Sequence, residues 1–142
     1  MEPGTATTRL DLDTDERFTP LRRRLGVTSF GMNQIVLQPR QRGRIHSHDR
    51  QEEVYLVLEG TLSLLVEGEE TTLGQGELIR LAPGVRRQLV NRGPGRLALL
   101  ALGGAGEHDG RDGVAWADWD ATESGSPQDV PLPDDLPAGD AT

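Results

Sequence analysis

The sequence has no cysteine, and all 15 of its Lys-plus-Arg residues are arginines. Without cysteine there is no thiol nucleophile, no disulfide and no thiolate metal site. Without lysine there is no Schiff base and no P-loop lysine, which excludes pyridoxal-phosphate enzymes and P-loop NTPases. Aromatic residues are scarce at 4%, and hydrophobic residues reach 35%. That is low, yet richer than a disordered chain. No apolar run approaches the ~20 residues of a membrane span. The opening stretch MEPGTATTRLDLDTDERF has no basic segment followed by an apolar one. The expectation is a cytoplasmic protein with no membrane contact. The missing cysteines agree with a reducing compartment.

What is present is 142 residues, enough for one ordinary domain. A single core at this size hides roughly 68–70% of the unfolded chain's surface. The net charge of −8 is unevenly placed. Residues 107–142 hold ten acids and one base, Arg111, whereas residues 1–106 are close to neutral. A near-neutral body makes nucleic acid a poor partner. The acidic segment contains Pro127, Pro131, Pro133 and Pro137, which favour an extended tail with little order beyond Pro127. It also holds both tryptophans, Trp116 and Trp119, whose spacing places them on one side of a helical turn. Docking as a strap through two Trp anchors is the favoured reading, and an acidic-aromatic binding segment the other.

The body reads as strands. Short apolar runs cover Ser29–Leu37, Glu53–Leu58, Thr61–Val66, Glu70–Leu73, Glu77–Leu81, Arg86–Val90 and Leu97–Leu102. Each has strand length, and Gly, Pro and Asn break them at roughly 8–12-residue spacing, which predicts an all-β sandwich or barrel. Glu59-Gly60 and Gly68 read as hairpin turns. Residues 17–25 allow one helical turn, with Arg22–Arg24 a solvated face. The expected organisation is an N-terminal arm (1–16), a barrel (17–106) and an acidic tail or strap (107–142).

The chemistry concentrates in GRIHSHDRQEEVYLVLEG, residues 43–60. His46 and His48 are two apart, so on a strand they project from one face, roughly 6.5–7 Å apart. Glu53 heads the next run and brings a carboxylate. Two His and one carboxylate form the facial arrangement of many Fe(II) sites. Alternation groups Glu53 with Tyr55 and Val57, so Glu53 is the better candidate and Glu52 the alternate. Elsewhere, His108 reads as solvated. Asp109 and Asp112 with Gly110 and Gly113 do not match an EF-hand. The run Gly103-Gly104-Ala105-Gly106 lacks the order of a dinucleotide loop.

Residues 43–60 resemble the first motif of the cupin superfamily, usually written G-x5-H-x-H-x3,4-E-x6-G. Here it reads His46, Ser47, His48, four residues, Glu53, six residues, Gly60, with Arg40 at the place of the initial glycine. The second motif, G-x5-P-x-G-x2-H-x3-N, reads Gly76, five residues, Ala82, Pro83, Gly84, two residues, Arg87, three residues, Asn91. The resemblance covers about residues 30–102. It implies a cupin-type double-stranded β-helix, a jelly-roll barrel with its site inside. It implies His46, His48 and Glu53 as metal ligands for Fe, Mn, Ni or Zn, and a homodimer by analogy.

The family's third metal histidine is here Arg87, whose guanidinium stays protonated and cannot ligate. Two arrangements follow. Arg87 turns inward and pairs with Glu53, or it swings outward and leaves three ligands for a metal. A further reading makes Arg87, with Tyr55, a binding group for an anionic small molecule. Three functions stand open: a small-molecule-binding protein with a partial metal site, a metal-dependent oxygenase or isomerase, and an interaction module acting through the acidic tail.

Overall fold

Alternating side chains and Gly-marked turns fold the chain into two antiparallel sheets. The computed structural model describes residues 4–104 and 112–137. In chain order the elements are β1 (Phe18–Pro20), α1 (Arg22–Leu25), β2 (Gly31–Leu37), β3 (Ile45–His48), β4 (Glu52–Glu59), β5 (Leu62–Val66), β6 (Glu69–Leu73), β7 (Leu78–Leu81), β8 (Arg87–Val90), β9 (Leu97–Gly104) and β10 (Gly113–Trp116), followed by a 3-10 turn at Pro127–Asp129. One sheet has the order β1-β2-β9-β4-β7 and the other β10-β3-β8-β5-β6. This is the double-stranded β-helix, an all-β jelly roll.

The core lies between the sheets. Leu37, Val57 and Leu99 from the first sheet meet Leu62, Leu64 and Leu89 from the second. Each such side chain contributes about 1.5–3 kcal/mol by leaving water. The seven expected runs all become strands, with ends shifted by up to two residues.

Three strands lie outside those runs: β1, β3 and β10. Strand β3, IHSH, has one apolar residue, so hydropathy alone does not mark it. The helical turn expected around Trp116 and Trp119 is not formed. Gly113–Trp116 instead extends along β3, pairing Gly113 with His48 and Trp116 with Ile45. An open sheet edge offers that segment a full ladder of hydrogen bonds, which outweighs one turn of helix.

Glu67-Gly68 makes a two-residue hairpin between β5 and β6, with φ of 50° and 84°. This is the positive-φ pair that such a turn requires. Glu59-Gly60 is not a hairpin, because β4 and β5 belong to different sheets and the turn carries the chain between them. The helical turn is shorter than its window and ends at Gly26, in the left-handed conformation with φ 73°.

The C-terminal segment is ordered further than its prolines imply. Leu136 is buried, and its N–H donates to the Arg40 carbonyl at 2.8 Å. Arg42 and Arg44 each donate Nε–H to a carbonyl of that segment, of Asp134 and Val130. These bonds replace water on an otherwise polar stretch. His108, Asp109, Gly110, Arg111 and the Ala105-Gly106 end of the glycine run lie outside the described residues, as does Asp140. Among the described residues no helix is long and apolar enough to cross a membrane.

Candidate functional site

Strand geometry brings four sequence-distant groups together. His46 and His48 project from the same side of β3, and their rings stand edge to face with centroids 5.5 Å apart. Glu53, near the start of β4, comes up between them. Its Oε1 lies 3.9 Å from His46 Nε2 and its Oε2 lies 3.6 Å from His48 Nε2. Arg87 pairs with His46 across the β3–β8 ladder and turns inward. Its Nη2 donates to Glu53 Oε1 at 2.9 Å, its Nη1 to the Val85 carbonyl at 2.8 Å, and its Nε to the Tyr55 hydroxyl at 3.4 Å. Of the two arrangements open to Arg87, the inward one is adopted.

Arg87 exposes no surface and Tyr55 1%. The side chains of His46, His48 and Glu53 keep 23%, 20% and 12% of theirs. The face that meets solvent is therefore the two imidazoles and one carboxylate, with Arg87 and Tyr55 behind. Glu52 points the other way, is exposed, and pairs with Arg80 at 2.5 Å.

Electrostatics fix the charge states. Burial alone pushes the Glu53 carboxyl up, but hydrogen bonding to His46 and His48 and the nearby charges of His46 and Arg87 outweigh it. The carboxyl is held well below the usual range and is ionised. Burial and the Glu53 charge push the Tyr55 hydroxyl well above its ordinary value, so it stays protonated. Burial opposes the Arg87 charge, yet Tyr55 and Glu53 raise its pKa, and the guanidinium remains a cation.

Sequence reasoning gave Asp112 no structural role, and the structure gives it one. Its side chain is 3% exposed, and its Oδ2 accepts the N–H groups of Arg50 and Gln51, both at 2.8 Å. Its carbonyl accepts from Asp49 N at 3.1 Å. Asp112 thus shapes the turn that joins β3 to β4, between His48 and Glu53. The partners are 61 and 62 residues away, so no local signal marks the role.

His46, His48 and Glu53 form a group that could hold a metal ion, since one ligand atom from each lies within 4.8 Å of the others. Two observations weigh against the family's usual centre. The fourth ligand position is a guanidinium already bonded to Glu53 Oε1, and its charge opposes a divalent cation. The second concerns the imidazole protons. A ligating histidine normally donates its other N–H to an acceptor. His46 satisfies this, with Nδ1 3.3 Å from the Arg44 carbonyl. His48 does not, because its Nδ1 is buried with no hydrogen-bond partner among the described residues. The three donors are close enough for an ion, but the set does not fit a four-ligand centre.

The comparisons with known proteins agree on the fold. Residues 33–103, half of the chain, match the family described as the cupin domain. A cupin protein from Bacteroides fragilis superposes with a TM-score of 0.66 at 21% identity, covering 73% of this chain and 86% of that one. A protein described as a sugar phosphate isomerase of the cupin superfamily, from Silicibacter pomeroyi, gives 0.60 at 24%, covering 82% and 79%. The cupin domain of an XRE family transcriptional regulator from Enterobacter cloacae gives 0.56 at 22%, covering 61% and 93%. No curated protein matches the chain. An isomerase and a regulator on one scaffold show that the fold does not set the activity. The matched motifs, the two facing sheets and these superpositions lead to one conclusion: the chain belongs to the cupin superfamily.

Proposed function

We propose that this cupin binds a small anionic molecule at the face formed by His46, His48 and Glu53, with the Arg87–Glu53 ion pair in place of a tightly held metal. The observation that carries this reading is the inward, fully buried Arg87, 2.9 Å from Glu53. It neutralises the one carboxylate at the site. An incoming anion then meets two imidazole edges, which can donate or take up protons, and not a bare negative charge. Arg87 and Tyr55 serve from behind, holding Glu53 and lending a positive field to the face.

The test pairs metal analysis with calorimetry, using oxalate and inorganic phosphate as probes. Wild type, dialysed against Mn(II), Ni(II), Zn(II) or anaerobic Fe(II), is expected to retain far less than one ion per chain and to bind at least one anion. Arg87→His supplies a fourth ligand in place of a cation and is expected to raise retention to about one ion per chain. Stoichiometric metal in wild type overturns the reading.

That result would support a second one, favoured by the closeness of the three ligand atoms. In it, His46, His48 and Glu53 hold Fe, Mn, Ni or Zn, and the chain is a metal-dependent oxygenase or isomerase. The ion would act as a Lewis acid toward substrate, while Arg87 keeps Glu53 ionised and oriented. Pairing of two copies belongs to either reading. Leu78, 61% exposed on the edge strand β7, is the apolar side chain that such pairing would cover.

A further inference from the structure

Strand β3 carries both histidines, and the residues just ahead of it are tied to β8 and its continuation, with Gly43 N–H donating to the Leu89 carbonyl at 2.8 Å and Arg42 bridging Val90. The ladder of β3 itself with β8 contains one residue pair, His46 with Arg87. Its ladder with β10 contains four. The same C-terminal segment flanks β3 at both ends. Upstream, Leu136 bonds to the Arg40 carbonyl, and Arg44 Nε donates to the Val130 carbonyl at 2.6 Å. Downstream, Asp112 receives the N–H groups of Arg50 and Gln51.

The segment is fastened at one further place. The Arg86 guanidinium lies 5.7 Å from the Trp116 ring centroid and 5.6 Å from that of Trp119. It also donates to the Trp119 carbonyl at 3.3 Å and pairs with Glu67 at 3.0 Å. The Trp119 indole N–H donates to Gln88 at 3.3 Å. Contacts of a cation with aromatic faces are worth about 0.5–2 kcal/mol each, depending on how dry they are. Arg86 and Arg87 are neighbours that face opposite ways. One grips this segment, and the other grips Glu53.

We propose that residues 112–136 are a strap that positions His46 and His48, and that docking of the strap and occupancy of the site are linked. The positioning half stands on the pairing of β3. The linkage half rests on the anion-binding reading given above. If a ligand needs β3 in place, then binding must tighten the strap by the same factor by which the strap strengthens binding. Trp116, Trp119, Arg86 and Asp112 are positioning residues in this scheme.

The experiment uses the full chain with Trp119→Ala and Arg86→Gln, and with Trp119→Phe and Arg86→Lys as conservative rescues. Amide hydrogen exchange is followed strand by strand. Exchange at residues 45–48 is expected to rise about tenfold in the first two variants, to return toward wild type in the rescues, and to stay unchanged in β2 and β9. No change at 45–48, or an equal rise in every strand, overturns positioning. If Trp119→Ala does not fold, Arg86→Gln carries the same readout.

In a second arm, inorganic phosphate is titrated by calorimetry and by tryptophan fluorescence. The chain's two tryptophans both lie in the strap. About tenfold weaker binding in Arg86→Gln, with a fluorescence change on binding to wild type, supports linkage. Equal affinity in wild type and variant overturns it. If wild type binds neither phosphate nor oxalate, the anion reading fails and linkage fails with it. The exchange result still decides positioning.

Discussion

At the scale of single residues, the site turns on one pair. Arg87 and Glu53 satisfy each other in a place with little water. Such a pair is poor evidence of net stabilisation, but breaking it from one side leaves a buried charge. Glu53→Ala is expected to cost about 3–5 kcal/mol in a urea unfolding titration. The double variant Glu53→Gln with Arg87→Met removes both charges and is expected to recover most of that loss. If the double variant is no more stable than Glu53→Ala, the pair is not what holds this region. The convergence of His46, His48 and Glu53 was legible in the sequence, because spacing of two on a strand and alternation on the next fix which side chains share a face. The direction of Arg87 was not legible. Its choice depends on Glu53, Tyr55 and the Val85 carbonyl, which spacing along β8 does not reveal. The lack of a partner for His48 Nδ1 among the described residues likewise follows from what surrounds it.

At the scale of elements, apolar runs and turn residues marked most strands of the barrel. They did not mark β3 or β10, whose pairing with each other comes from backbone hydrogen bonds and not from hydropathy. Turn chemistry was legible where it was strained. Gly60 sits at φ 82°, and a Cβ there would strike the Arg96 carbonyl. The left-handed backbone alone costs a non-glycine residue about 1–2 kcal/mol. Gly60→Ala is expected to exceed that loss in thermal or urea unfolding, whereas Gly68→Ala, with open space around its Cβ, is expected to lose no more than the backbone cost.

The turn after β3 has a pH signature. Burial pushes the Asp112 carboxyl up, but the Arg50 and Gln51 N–H groups and the charges of His48 and Arg50 hold it below its ordinary 3.8. A depressed folded value means that the contribution is complete above 3.8 and fades as pH falls through the lower folded value. The stability gap between wild type and Asp112→Asn is expected to be flat above about pH 5 and to close below 3.8, measured by urea midpoints across that range. A constant gap would show that the carboxylate's charge is not what the turn uses.

At the scale of the whole molecule, composition misled in one respect. Beyond Pro127 the prolines and acids read as a stretch with little order, yet Leu136 there is buried and bonded to the Arg40 carbonyl. The reason is that the barrel's arginines find backbone carbonyls there, a partner type that no charge count reveals. The pairing of two copies is tested on the opposite sheet. If copies pair through β7, Leu78→Glu places a charge on that outermost strand and is expected to lower the light-scattering mass relative to wild type, with secondary structure unchanged. A mass equal to that of wild type would remove β7 from the interface.

The position of β10 has another consequence, for how copies of this chain behave when crowded. The second sheet ends in β10 on one side and in β6, with its acidic Glu69 and Glu70, on the other. A strand rich in like charges is a poor template for strand addition. The β3 edge would be a better one, because without β10 the backbone groups that pair with Gly113–Trp116 would face outward. By lying on that edge, the C-terminal segment acts as a guard against runaway sheet growth. A chain clipped ahead of Gly113 would therefore be prone to stacking into fibrils, whatever became of its ligand.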